Sequence, residues 1–160
     1  MHIRSLEHKD QNNIEAIMRE HSLQFPKFII EKYPARWSKF LKSKEETKND
    51  GYYVAIDDND KILGHAGYIF NEDVGRFEIV GVAVKKDYQR QGIGQQLIHT
   101  ICNKINDLGI NEVILYTLGH VENETTLTFY RNIGFDMVNY EKDFFISDYH
   151  RVTFVKALVR

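Results

Sequence analysis

At positions 89–94 the chain reads Gln89-Arg90-Gln91-Gly92-Ile93-Gly94, between an apolar run and a helical pattern. The run before it, Ile79-Val80-Gly81-Val82-Ala83-Val84, predicts a buried strand. After it, apolar residues recur at helical spacing on one face: Ile93, Leu97, Ile98, Ile101, Ile105 and Leu108. A strand therefore leads into a tight glycine turn, and the turn opens directly into a helix.

This strand–turn–helix arrangement favours a polyphosphate ligand. The first N–H groups of a helix have no partner within it, and the positive end of the helix dipole lies at the same place. We expect glycine at position 92 because a Cβ would obstruct both the turn and the approach of an anion. The predicted contacts are the N–H groups of Gln91, Gly92, Ile93, Gly94 and Gln95, with side-chain contacts from Gln89 or Arg90. An ordinary capped turn is the alternative.

Two common phosphate motifs do not fit this stretch. The dinucleotide motif G-x-G-x-x-G would need a third glycine where Leu97 stands, and no window supplies the P-loop pattern G-x-x-x-x-G-K-[ST]. The remaining pattern is Q-x-x-G-x-G before a helix. It resembles the acyl-CoA-binding motif of the GNAT superfamily of N-acyltransferases, (Q/R)-x-x-G-x-(G/A).

Two flanking segments extend the resemblance. From Asn123 to Phe135 the chain reads N-E-T-T-L-T-F-Y-R-N-I-G-F, which resembles the family's second signature, N-x-x-A-x-x-(apolar)-Y-x-x-x-G-F. Thr126 is the departure, because the family usually has alanine there. Upstream, Glu78 and the strand to Val84 resemble the acidic residue and strand that lead into the pyrophosphate loop. The resemblance is specific from Glu78 to Phe135.

The order of predicted elements is β-αα-βββ-α-β-α-ββ. It indicates an α/β protein with a GNAT-type mixed, mostly antiparallel central sheet flanked by helices, in a single domain over residues 1–160. Asp10 is expected to cap the first helix. Pro26 and Pro34 are expected to interrupt a second helical region that reaches about Leu41, and the polar stretch 42–50 to face solvent.

Composition excludes several classes of protein. The 160 residues carry a net charge of −2, so the chain lacks the excess of basic residues that is typical of proteins that bind nucleic acid or an anionic membrane. The longest apolar run is too short to span a bilayer, and the N-terminus lacks the apolar core of a signal peptide. Cys102 is the sole cysteine, which favours a reducing, cytoplasmic setting. The seven histidines show no metal-ligand spacing, so we expect no metal.

The resemblance implies acetyl-CoA as the cosubstrate and assigns it to the strand before the turn. In the family this strand carries a bulge and splays from the next one. The backbone N–H of Val82 would then polarise the thioester carbonyl, and the backbone of Val82, Ala83 and Val84 would bind the peptide-like pantetheine arm. Tyr130 matches the family's general acid, which would protonate the thiolate leaving group. A packing role for this tyrosine is the alternative.

Glu78 is the candidate general base, because some family members use a strand glutamate at this spacing. The alternative is a solvated carboxylate paired with Arg76 on the same strand face. His120 and Glu122 are rival bases, although each could instead flank the next helix. Asn123 is both a good N-cap residue and the match of an asparagine that contacts the cofactor in the family.

The acceptor is the least determined feature. Aromatic residues between Phe25 and Trp37, and Phe144, Phe145 and Asp148 in the last hairpin, could bind a cationic amine or belong to the core. The favoured interpretation is an N-acetyltransferase that acts on a small-molecule or peptide amine, with homodimerisation left open. The rivals are a non-catalytic acyl-CoA-binding or sensing domain and a nucleotide-binding module.

Overall fold

The structure, a computed structural model, describes residues 1–43 and 49–158. Its strands are β1 (His2–Ser5), β2 (Asp50–Ile56), β3 (Ile62–Asn71), β4 (Arg76–Val84), β5 (Glu112–Gly119), β6 (Asp136–Ile146) and β7 (Tyr149–Ala157). They form a seven-stranded sheet in the order β1-β2-β3-β4-β5-β7-β6. The β4–β5 pair is parallel, whereas the other neighbouring pairs are antiparallel. The predicted mixed, mostly antiparallel sheet is confirmed.

Helices cover both faces of this sheet. They are α1 (Gln11–Arg19), α2 (Lys27–Ile30), α3 (Tyr33–Lys42), α4 (Ile93–Asp107) and α5 (Glu124–Asn132). Buried apolar residues form two hydrophobic clusters, and successive residues of β4 belong to different ones. Ile79 packs with α4 and α5, whereas Val80 packs with α1 and α3. Because successive strand residues point to opposite faces, the two clusters are the two layers of the core.

Asp10 occupies the N-cap position of α1 but does not cap it with its side chain, contrary to the prediction. Its carboxylate is buried and accepts two hydrogen bonds from the Arg4 guanidinium, at 2.8 and 3.0 Å. It also accepts the Glu7 N–H at 2.8 Å. A buried carboxylate is stable only when it is paired, so the Arg4 guanidinium takes precedence over the cap of α1.

The second helical region consists of two helices rather than one. Pro26 has an extended backbone directly before the four-residue α2, so it interrupts the helical region as expected. Pro34 instead lies in the first turn of α3, where its missing N–H would have no helical partner anyway. Of the polar stretch 42–50, residues 44–48 lie outside the described residues.

Candidate active site

Strand β4 changes its register with β3 in the middle of its length. Val80 lies opposite Gly67 and Ala83 opposite His65, so three steps on β4 match two on β3. The extra residue is a β-bulge at Gly81 and Val82, and Gly81 adopts a φ of +67°. The bulge leaves these two residues without a ladder partner on β3, as the resemblance implies for this strand.

On its other side β4 diverges from β5. Within the described residues these parallel strands share one ladder pair, Glu78 with Ile114 near the start of the contact. Beyond it, Val82, Ala83 and Val84 have no ladder partner on β5. The gap exposes a strand edge to which an extended, amide-containing arm could add.

The glycine turn closes one end of this gap. Gly92 is the N-cap of α4 with φ +81°, and no side chain caps the helix. The first helical hydrogen bond runs from Gln96 N–H to Gly92 O at 3.0 Å. The N–H groups of Ile93, Gly94 and Gln95 therefore precede the helical ladder and are available to an anion.

The two glycines of the turn serve different purposes. A Cβ on Gly92 would meet no atom within 4 Å, so this residue is required by its positive φ and leaves open space before the helix. A Cβ on Gly94 would lie 3.4 Å from Phe129 Cζ and 3.5 Å from Val84 Cγ2. Gly94 thus permits close packing of α4 against α5 and β4, which the sequence reasoning did not anticipate.

The side chains around the turn are exposed. Gln89, Arg90, Gln91 and Gln95 all face solvent, and Arg90 has a φ of +65°. A cavity of about 510 Å³ begins at Gly92 and runs along α4; its lining is Gly92, Gln95, Gln96, His99, Cys102, Ile133 and Lys156. This cavity adjoins the phosphate end of the site but does not include Glu78 or Tyr130.

Glu78 is half-buried beside the point where β4 and β5 separate. Burial raises the pKa of its carboxyl group, whereas the hydrogen bond from Asn71 Nδ2 at 2.9 Å and the charges of Arg36, Arg151 and Lys32 act in the opposite direction. The alternative pairing with Arg76 is wrong, because Arg76 binds Glu112 at 3.3 Å. A carboxylate with a raised pKa in a cleft has the properties of a general base.

Tyr130 is buried in α5, and its ring packs against Phe129, Phe135 and Phe154. Its hydroxyl makes no hydrogen bond to the described residues. Since no fully buried side-chain oxygen or nitrogen there lacks a partner, the hydroxyl keeps contact with solvent. Burial, and to a smaller extent Tyr33, raise the pKa of this phenol, so it remains protonated at neutral pH.

Tyr33 is a site residue that the sequence reasoning missed. It begins α3, and its Cε1 lies 2.9 Å from where a Cβ on Gly81 would stand, directly against the bulge. Burial raises the pKa of its phenol to about 12, with a further contribution from Glu78. The Arg36 guanidinium lies 5.2 Å from the centre of the Tyr33 ring. No local sequence signal distinguishes Tyr33 from the neighbouring core aromatics.

Asn123 is almost fully buried, at 2% exposure, and its side chain does not cap α5. Instead it donates to Leu118 O at 2.6 Å and accepts from Gln24 Nε2 at 3.1 Å. Gln24 also donates to Thr126 Oγ1 at 2.7 Å. The departure of Thr126 from the family alanine therefore provides a partner for Gln24, which sequence reasoning had not singled out.

The segment around Gln24 spans the open ends of both strands. His21 Nε2 lies 2.7 Å from Val84 O, and Glu20 Oε1 accepts the Lys86 N–H at 3.1 Å, so the segment is bound to the end of β4. Gln24 binds the start of α5, which follows β5. The carbonyl of Val84 is thus already engaged, and its N–H is the group left for a ligand.

Of the two rival bases, His120 has structural partners and Glu122 faces solvent. His120 Nδ1 accepts the Glu122 N–H at 3.1 Å, and the His120 ring lies 4.6 Å from that of Tyr149. This caps the short turn before α5, whereas the Glu122 side chain is exposed.

The aromatic residues considered for the acceptor divide into two groups. Phe25 and Trp37 are buried in the core, whereas Phe28 is 56% exposed. Phe144 and Phe145 are exposed, and Phe144 lies under the Arg151 guanidinium at 4.0 Å.

Asp148 belongs to a turn cluster rather than to the cleft described above. Asp143, Asp148 and His150 bring potential ligand atoms within 4.8 Å of one another in the β6–β7 turn. The Asp148 N–H already binds Asp143 Oδ1, and the Asp143 N–H binds His150 Nδ1. These bonds account for the cluster as a feature of the turn.

Comparison with known proteins finds acetyltransferases that resemble this chain in sequence or in fold. N-alpha-acetyltransferase 30 of Schizosaccharomyces pombe is 27% identical over 126 residues, which cover 76% of this chain and 73% of that protein. A Desulfovibrio desulfuricans protein assigned to the GNAT family superposes with a TM-score of 0.82 at 16% identity, covering 99% of both chains. An aminoglycoside 6'-N-acetyltransferase complexed with coenzyme A superposes with a TM-score of 0.78 at 13% identity, covering 100% of this chain and 98% of the other.

None of the helices in the described parts of the chain is long and apolar enough to cross a membrane.

The family model described as "Acetyltransferase (GNAT) family" matches residues 14–135, which include the bulge, the glycine turn and α5. The chain belongs to the GNAT family of acetyltransferases.

Proposed function

We propose that this protein is an acetyl-CoA-dependent N-acetyltransferase that moves the acetyl group to a primary amine by direct attack. The observation that carries the proposal is the opening of β4 from β5 at the bulge, with Glu78 beside it and Tyr130 on α5. Binding alone would require neither a half-buried carboxylate of raised pKa nor a protonated phenol at this point.

In the proposed reaction the amine nitrogen forms a bond to the acetyl carbon, and the carbon–sulfur bond breaks. Glu78 takes the proton that the ammonium group must lose, directly or through water. The Val82 N–H binds the carbonyl oxygen as negative charge develops on it. Tyr130 delivers a proton to the departing thiolate and is reprotonated by the second proton that the nitrogen loses after attack. Amide and CoA thiol then leave as neutral products, and Glu78 releases its proton to solvent.

The cofactor is held mainly by backbone groups in this proposal. The pyrophosphate would bind the N–H groups that begin α4, after Gly92, and the pantetheine arm would pair with the open edge of β4 from Val82 to Val84. The side chains of Gln89, Arg90 and Gln91 lie on the exposed rim, where they would add contacts to the phosphates. Asn123 would reach the arm from the other side of the gap.

The acceptor class is narrowed by charge. Arg36, Arg151 and Lys32 each act to lower the pKa of Glu78 through their positive charge, so cationic side chains contribute to the field where the amine must be deprotonated. This field disfavours a polycation and favours an acceptor with a single amine, such as a peptide α-amino group. The relative from S. pombe is an N-alpha-acetyltransferase, which agrees with this choice.

The test is an assay for free thiol with acetyl-CoA and a panel of amines. The panel contains neutral and acidic peptides with free N-termini, the same peptides with blocked N-termini, a polyamine and an aminoglycoside. Thiol release that needs the free amine, with acetylated product found by mass spectrometry, supports the proposal. Tight CoA binding by calorimetry without acetyl transfer to any member of the panel would instead indicate the non-catalytic acyl-CoA-binding function.

A further inference from the structure

His65 on β3 is a fully buried histidine directly behind the bulge of β4. Its Nδ1 lies 2.8 Å from Gly81 O, and its Nε2 lies 3.2 Å from the indole Nε1 of Trp37 on α3. The indole N–H can only donate, so His65 Nε2 must accept. His65 Nδ1 therefore carries the proton and donates it to the Gly81 carbonyl, which fixes the tautomer.

The ring is held in place on several sides. It stacks on Tyr52 at 5.8 Å between centroids, with 19° between the planes. A Cβ on Gly81 would lie 2.9 Å from His65 Cε1, so the imidazole contacts the bulge without intervening space. Burial lowers the pKa of His65 to about 4, so the ring is neutral and this donor arrangement persists at any ordinary pH.

The position of the acceptor is the important point. The Gly81 carbonyl and the Val82 N–H belong to the same peptide group. A hydrogen bond donated to the carbonyl draws electron density from the peptide, and chains of hydrogen bonds strengthen one another in this way. The two hydrogen bonds form a donor chain, from the Trp37 indole to His65 and from His65 to the Gly81 carbonyl. This donor chain therefore ends on the Gly81–Val82 peptide, which faces the gap.

We propose that Trp37 and His65 are positioning residues that fix and polarise the Gly81–Val82 peptide, so that its N–H binds the thioester carbonyl more strongly in the transition state. The inference rests on the proposed acetyl transfer and extends it to residues that never touch the substrate. No proton moves along the chain. The imidazole stays neutral while negative charge grows on the carbonyl oxygen. It also stays neutral when the carbonyl group re-forms and the thiolate leaves.

Two amide substitutions separate this role from a merely structural one. In His65→Asn the side-chain amide nitrogen takes the place of Nδ1 and can still donate to Gly81 O. In His65→Gln the amide lies where Nε2 was, so it meets Trp37 and leaves the Gly81 carbonyl without its donor. Both variants bury one amide in place of one imidazole, which makes them matched controls for each other.

The proposal predicts that kcat of His65→Gln falls about 10-fold or more below that of His65→Asn, because loss of a direct oxyanion donor costs about 100-fold to 1,000-fold and this donor acts through one peptide. The CoA Kd should be the same in both, since CoA lacks the thioester carbonyl. Equal kcat values would overturn the proposal, and so would a fall in kcat that is matched by an equal loss of CoA affinity.

A spectroscopic measurement keeps the inference independent of turnover. The probe is a ketone analogue of acetyl-CoA in which a ¹³C-labelled carbonyl keeps its place and a methylene replaces the sulfur. Its bound carbonyl resonance should lie furthest downfield in the wild type, somewhat upfield of that in His65→Asn, which keeps the donor but loses the link to Trp37, and furthest upfield in His65→Gln. If the wild type transfers acetyl to no acceptor, the proposed function fails, whereas this resonance still decides the role of His65.

If neither His65 variant folds, Trp37→Phe takes their place, because it removes the indole N–H and keeps an aromatic ring. Tyr52→Phe is its control, since that residue stacks on His65 outside the donor chain. The analogue resonance should move upfield in Trp37→Phe and stay unchanged in Tyr52→Phe. A resonance at the wild-type position in Trp37→Phe would overturn the proposal.

Discussion

The two sides of the cleft are built in different ways. The proposed cofactor side is a short continuous piece of chain, from the bulge at Gly81 to the first turn of α4, and it offers mainly backbone N–H groups. The proposed acceptor side is assembled from side chains of separate elements: Tyr33 and Arg36 come from α3, and Glu78 comes from β4.

This difference determines what can damage each side. Backbone donors have no titratable group, so the cofactor side should respond to the size and charge of any side chain that is introduced next to the N–H groups. The acceptor side depends on the protonation of Glu78 and on the charges that act on it. Substitutions there should change pH profiles more than cofactor affinity.

The largest effect is expected from Gly92→Asp on the cofactor side. The new carboxylate would stand in the open space where the pyrophosphate is proposed to bind, and like charges brought together cost several kcal/mol, so CoA affinity should fall about 100-fold or more. Calorimetric titration with CoA measures this. Gly109→Asp is the matched control, because Gly109 also has a positive φ, with open space around it, beyond the other end of α4. Equal CoA affinity in both variants would remove the phosphates from this turn.

The cofactor side was also the more predictable one from the sequence. The Gly92 turn stands between a strand pattern and a helix pattern, and these local periodicities fix its geometry. Tyr33, Arg36 and Gln24 are more than 40 residues from Glu78 in the sequence, and no spacing connects them to it. The expected side-chain caps are also absent at Asp10 and Asn123. Asp10 and Asn123 obey the local rule for caps, but Arg4 and Gln24 bind their side chains instead.

The next effect concerns Tyr130, which faces the leaving thiolate in the proposed mechanism. Tyr130→Phe keeps the ring against Phe129, Phe135 and Phe154 and removes the hydroxyl. General acid catalysis is typically worth about 10²–10⁴-fold, so kcat should fall by that factor in single-turnover measurements. CoA affinity and the midpoint of thermal unfolding should not change. A variant with wild-type kcat would leave Tyr130 a packing residue.

Glu78→Gln should affect the acceptor side through pH. It removes the proposed base, so kcat/KM should fall most near neutral pH and recover as rising pH deprotonates the free amine. Glu112→Gln is the control, because Glu112 is a surface carboxylate paired with Arg76. Superimposable pH profiles for wild type and Glu78→Gln would make Glu78 a structural residue.

The same variant has a predicted sign in stability. A raised pKa means that the native state keeps a proton that the unfolded chain has released, so Glu78 lowers stability as pH rises from the ordinary value of 4.5 through the raised native value. Glu78→Gln lacks this loss. Its free energy of unfolding relative to wild type should therefore increase across that window and stay higher at neutral pH, as denaturant titrations at several pH values would measure.

The smallest effect is expected from Arg36→Gln, which leaves every proposed reacting group in place. The charge of Arg36 acts against the rise in the pKa of the Glu78 carboxyl group, so its removal should raise that pKa further. The acidic limb of the kcat/KM profile should then move to higher pH by up to about one unit, because a neighbouring opposite charge shifts a carboxyl pKa by about that order. Lys39→Gln removes a charge of the same sign from the same helix and should leave the limb in place. Arg36→Lys keeps the charge and should restore most of the wild-type profile. If Arg36→Gln and Arg36→Lys move the limb equally, the guanidinium acts through its contact with Tyr33 rather than through its charge, and the acceptor side is organised by packing.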